Sequence, residues 1–215
     1  MFDIIFFAIL SYFLFKKLKS ILGEEYDNEF FGYNAKTTNK KNKIKDAEKV
    51  HTNDNLFDGF EYLSNEAKNN ATEITKLFEK HGGSFTLKAF NNIVVKVLES
   101  TIEANNNQDE KTIKQFFAPT LATLTCQTFN QNIKNNIFLV SIKNSTIKDI
   151  TKEGDKKFII SVNFETEQIN YTTNSDGEVI EGSKQVVEPV NEVWYFSHDF
   201  TTNNPTWFVE KIEEN

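Results

Sequence analysis

The chain contains no arginine: all 24 basic residues among its 215 are lysines. The planar guanidinium fork that grips carboxylates and phosphates in two-point fashion is therefore absent, which argues against phosphoryl-transfer chemistry. Cysteine is nearly absent too. Cys126 stands alone, so no intrachain disulfide can form and nothing demands an oxidising compartment. Proline occurs three times and glycine eight, too rarely for a repetitive or fibrous chain. A surplus of positive charge is also missing. The formal net charge is -7 and the isoelectric point near 5.1, which excludes nucleic acid as a main partner because duplex binding requires many cations to displace phosphate counterions.

The motifs of several chemistries are missing as well. His51, His81 and His198 are far apart in sequence, and neither they nor Cys126 has a partner at metal-ligand spacing, so no metal or cofactor is implied. No G-x-S-x-G elbow, P-loop or G-x-G-x-x-G occurs, and Gly82-Gly83 follows a helical pattern whose C-cap accounts for it. His198 beside Asp199 could form an acid–base pair, but neighbours on a strand point to opposite faces and cannot share a proton directly. No catalytic residue is assigned.

What is present begins with an apolar run, Ile4 to Phe15, holding Ile4, Ile5, Phe6, Phe7, Ile9, Leu10, Phe13, Leu14 and Phe15. Twelve helical residues cover only about 18 Å, short of the roughly 30 Å of a bilayer core. Extension through Leu22 reaches about 28 Å, provided that Lys16, Lys17 and Lys19 extend their ammonium groups to the headgroups. Residues 1–22 are therefore expected to be a single-pass membrane anchor. The three lysines follow the run while Asp3 alone precedes it, which places the body of the chain on the cytoplasmic side. A cleaved signal peptide is the rival reading, but the positive n-region and a small-x-small cleavage site are missing.

Residues 23–53 are polar and aperiodic, with acidic residues followed by Lys36, Lys40, Lys41, Lys43 and Lys45, and they read as a solvated tether whose lysines could also touch anionic lipid. Leu56, Phe60, Leu63, Ala67, Ala71, Ile74 and Phe78 recur at helical spacing and predict an amphipathic helix over 54–83, capped by Asn53 or Asp54. Ser84 is expected to cap a second helix through Ile102. Two short helices should follow, meeting at Pro119 and carrying the apolar pattern as far as Ile133.

From Ile137 the period changes to two. Phe158, Ile160, Val162 and Phe164 alternate with more polar neighbours after a Glu153-Gly154-Asp155 turn, and strands are predicted at 185–200 and 206–212. Helices followed by an antiparallel meander define an α+β domain over 84–215. Trp194, Phe196 and His198 share one face of their strand. Together with Phe90, Phe129, Phe164 and Trp207, the two aromatic residues could line a groove for an acyl chain or peptide, against the plainer reading that they are core.

One composite pattern points further. Phe85 to Gln108, the Asn-Phe-Glu-Thr-Glu of 163–167, the Asp176-Gly177 turn with Gly182 after it, and Val190-Asn-Glu-Val-Trp-Tyr-Phe-Ser-His-Asp199 ending in Asn204-Pro-Thr-Trp207 resemble the C-terminal domain of the mitochondrial inner-membrane translocase subunit forty-four (Tim-forty-four-like) family. The opening Leu18-Lys-Ser-Ile-Leu-Gly23 is similar to the start of its bacterial relatives, called TimA. The chain departs from the pattern at His198, where the family commonly carries Arg. The resemblance implies a cone of curved antiparallel sheet closed by helices, similar to nuclear transport factor two, and a non-enzymatic, membrane-associated adaptor at the bacterial inner membrane. Its partners would be membrane lipid and a protein. A membrane-tethered enzyme or small-ligand binder using the cone interior, with His198 as its polar group, is the alternative, and assembly through the sheet face as a homodimer is a third option.

Overall fold

The computed structural model describes residues 56–129, 132–202 and 206–215. The expected anchor and the whole of the tether lie outside them. Among the described residues no helix is long and apolar enough to cross a membrane.

Four helices precede the sheet: α1 Asn65–Lys80, α2 Leu87–Asn107, α3 Glu110–Phe116 and α4 Pro119–Gln127. The first starts later than the apolar spacing predicts, because Gly59 adopts φ 80° and Ser64, rather than Asn53 or Asp54, caps the helix by accepting from the Ala67 amide. Leu56, Phe60 and Leu63 thus sit in the turns leading into α1. Helix α2 is capped by Thr86 and not by Ser84. The reason is Phe85, which stands just before the cap and packs its ring 5.9 Å from that of Phe90 one turn into the helix, a hydrophobic staple that fixes the entry. Pro119 opens α4 at its first turn, where its missing N–H removes no helical bond. Helix α4 ends at Gln127, so the apolar run through Phe129 and Ile133 divides between the helix exit and the start of the sheet.

The sheet comes next: β1 Ile133–Glu153, β2 Lys157–Asn174, β3 Val179–Gly182, β4 Glu188–Asp199 and β5 Phe208–Glu214. It is antiparallel in the order β1-β2-β4-β5, with β3 pairing the far end of β2. The predicted turn at Gly154, with φ 62°, joins two very long strands into a hairpin. Strand β1 carries three register shifts, and such bulges bend and twist a long ribbon into a curved sheet. Strand β3 lies where hydrophobic periodicity gives no signal. It depends on Gly182, at φ 73°, where an added Cβ would lie 2.3 Å from the Asn170 carbonyl oxygen.

The core lies between the concave face of this sheet and helices α1 and α2. Phe158, Ile160, Val162 and Phe164 of β2, Trp194 and Phe196 of β4, and Ile147 and Ile150 of β1 face Ala67, Ala71, Ile74, Phe90, Val94 and Leu98, all buried. Period two on the strands and 3.6 on the helices place these residues on one surface each.

The fold predicts a clear contrast in stability. Phe196→Ala should cost about 3–5 kcal/mol in urea unfolding, as expected for an aromatic removed from a closed core, whereas Leu124→Ala, at an exposed position on α4, should stay within about 0.5 kcal/mol.

Candidate functional site

Five of the six candidate groove residues converge on one place. Phe90 sits 5.0 Å from Trp207 and 5.7 Å from Phe196, Trp194 stacks at 6.3 Å on Phe196, and Phe164 meets Trp194 edge-on at 5.7 Å. All five are buried, and they interlock as core rather than stand apart as groove walls. Phe129 is only half-buried, at the exit of α4. The edge-to-face contacts fill the space that a bound acyl chain would require.

His198 shares this interior. It is 3% exposed and surrounded by the rings of Phe200, Trp207 and Phe78 at 4.2, 5.2 and 5.3 Å. Its Nδ1 lies 3.1 Å from the Thr206 carbonyl oxygen, which can only accept, so Nδ1 carries the proton. Burial lowers the pKa to about 4, even though the Thr206 carbonyl and Asp199 favour the cation. Asp199 turns away, accepting from the Thr201 amide and hydroxyl at 2.8 and 2.6 Å. The adjacent pair therefore forms no acid–base couple in this arrangement. Glu165 is exposed, and Glu167 is held on the outer face by Lys143 at 2.9 Å and by the Ser141 hydroxyl at 2.8 Å.

On the convex side of the sheet a depression of about 590 Å³ opens between Tyr62, Lys148, Asp149, Ser161, Tyr195 and Glu213. Tyr195 donates to Glu213 at 2.7 Å, and Lys211 pairs with the same carboxylate. This site offers mixed charge and two phenol rings but no activated nucleophile. Among the described residues no group of three or more His, Cys, Asp or Glu could hold a metal ion.

The side chains that spacing alone does not reveal are asparagines on the helices. Asn70 donates to the Ile150 carbonyl at 2.8 Å, and Asn91 donates to the Ser145 carbonyl at 3.3 Å while accepting from the Ser145 hydroxyl. Asn106 does more: its Nδ2 donates to the Ile137 carbonyl at 2.7 Å and its Oδ1 accepts from the Ile137 amide at 2.8 Å. In a sequence this rich in Asn, none of the three stands out.

With the curved sheet, its buried aromatic core and its Trp-aromatic-Phe strand in place, the comparison with family models is decisive. The model of the Tim44-like domain matches residues 72–214, more than half of the chain. The chain belongs to the Tim44-like domain family. The Tim44-like match includes most of α1, all later helices and all five strands. Among solved structures, the intermembrane-space region of the chloroplast protein ARC6 is similar at 8% identity and TM-score 0.42, over 60% of this chain and 96% of that one. A nuclear transport factor 2-like protein from Salmonella enterica serovar Typhimurium LT2 is similar at 10% identity and TM-score 0.36, over 60% and 91%. Likenesses this distant carry no functional argument. No curated protein matches the chain.

The buried histidine gives a pH signature. Because its folded pKa lies below the ordinary 6.5, the unfolded chain takes up the proton first, so stability is full above pH 6.5 and falls as the pH drops toward 4. The loss attributable to this group should approach roughly 3 kcal/mol. His198→Phe should lose less stability than the wild type between pH 7 and pH 4.5 in urea titrations, since the surface carboxylates are common to both. Equal losses would show that the histidine is not the cause.

Proposed function

We propose that this Tim44-like domain is the cytoplasmic body of a membrane-anchored, non-enzymatic adaptor at a bacterial inner membrane, serving protein translocation or the assembly of membrane complexes. The observation that carries the reading is the packed aromatic core between sheet and helices. Phe90, Phe164, Trp194, Phe196 and Trp207 occupy the interior, His198 is the one buried titratable group among the described residues and is enclosed by rings, and the chemistry the domain offers is therefore on its surface. A filled interior supports recognition of a partner across the outside of the domain and disfavours a small substrate turned over within. Residues 1–22 supply the anchor and residues 23–53 its reach, so the domain searches two dimensions and meets its partner at raised effective concentration.

The anchor is testable by fractionation. Removing residues 1–22 should move the protein from the membrane pellet to the supernatant, and continued sedimentation would show that the domain itself binds lipid. Replacing Lys16, Lys17 and Lys19 together with Glu should weaken or invert insertion, read by protease protection of the domain in sealed vesicles; unchanged topology would remove the orientation argument. Crosslinking in native membranes with identification of the captured proteins tests the adaptor role, which fails if the domain captures no protein reproducibly.

A further inference from the structure

Strand β1 is an edge of the sheet, 21 residues long, and an edge that long presents a row of backbone donors and acceptors to any passing strand. The other edge is partly closed, since Phe117 bridges Val209 of β5 and the Ala118 amide donates to the Val209 carbonyl at 2.9 Å. On β1 the cover comes from helix asparagines at Ile137, Ser145 and Ile150. At Ile137 the carboxamide of Asn106 makes both bonds that a neighbouring strand residue would make. The group it imitates is a peptide unit.

The register with β2 is unbroken from Ile133 to Leu139, so backbone direction alternates regularly there and Ile133 and Asn135 present their N–H and C=O to the same free side as Ile137. Among the described contacts no side chain covers those two positions. The same stretch of β1 carries exposed apolar side chains: Ile133 is 43%, Phe138 57% and Val140 50% accessible.

We propose that residues 133–137 pair antiparallel with the same residues of a second copy of this chain, the Asn106 carboxamide being the placeholder that the incoming strand displaces. The segment is self-complementary about Asn135. A two-fold axis there sets Ile133 opposite Ile137 in both directions, Lys134 opposite Asn136, and Asn135 opposite itself, so no lysine faces a lysine. Shifting the axis to Lys134 would place the two ammonium groups directly opposite, which selects the register. Farther along, Asn91 and Asn70 hold the edge at Ser145 and Ile150, which confines pairing to the first residues of the strand. The inference concerns self-association and holds whatever the domain recruits.

The test uses the full-length chain with Cys126→Ser and Asn135→Cys, oxidised in unfractionated lysate and resolved without reductant. Directly opposed residues of an antiparallel pair lie about 5.5 Å apart at Cα, within disulfide reach, so a covalent species of twice the chain mass is expected. Lys148→Cys on the same background, exposed on the same strand but outside the pairing, should remain single. Adding Asn106→Ala should raise the yield of the Asn135→Cys dimer at low protein concentration, consistent with about tenfold tighter association once the competing carboxamide is gone. Equal crosslinking at both positions, an adduct of another mass, or no dimer even with Asn106→Ala would each overturn the proposal.

Discussion

The contact of Phe90 with Phe196 and Trp207 is the interaction on which the rest of the molecule depends. It joins the long helix α2 to β4 and to the start of β5, and it brings together residues more than a hundred positions apart in the chain. Once these rings meet edge to face, the curved sheet has a lid. Phe158, Ile160, Val162 and Phe164 of β2 are then shielded, and Val94 and Leu98 of α2 follow Phe90 onto the same surface. Burial of several aromatic side chains, each removing roughly 150–250 Å² from water, favours this closed packing of α2 on the sheet.

That same closure explains why the interior holds so little chemistry. A histidine enclosed by three rings stays neutral because the charged form would lose its hydration, and its single carbonyl partner settles the tautomer without making it a catalyst. The polar groups able to contact a partner lie on the convex depression and along the β1 edge. Both lie outside the packed core. Membership of the Tim44-like family and an adaptor role are consistent with that division between a packed inside and a working outside.

The expected anchor imposes a second constraint. Its apolar run is short enough that Lys16, Lys17 and Lys19 must serve both as the end of the span and as the determinant of its direction, so three residues would set where the whole domain sits.

The sequence by itself determined the order of helices before strands, the faces of β2 and β4, the Gly154 turn and the family, because hydrophobic periodicity and turn residues are local properties. It placed Trp194, Phe196 and His198 on one face correctly, yet it did not say whether that face enclosed a groove or a solid core. That depended on how closely α2 approaches, which is a matter of packing between distant segments. Helix starts shifted for related reasons: Ser64 and Thr86 won over other polar candidates through the particular turns and the Phe85–Phe90 contact that precede or enter each helix. Strand β3, and the asparagines that cover the β1 edge, emerged only in three dimensions, since a carboxamide becomes a substitute for a neighbouring strand only when the fold carries it to an unpaired backbone.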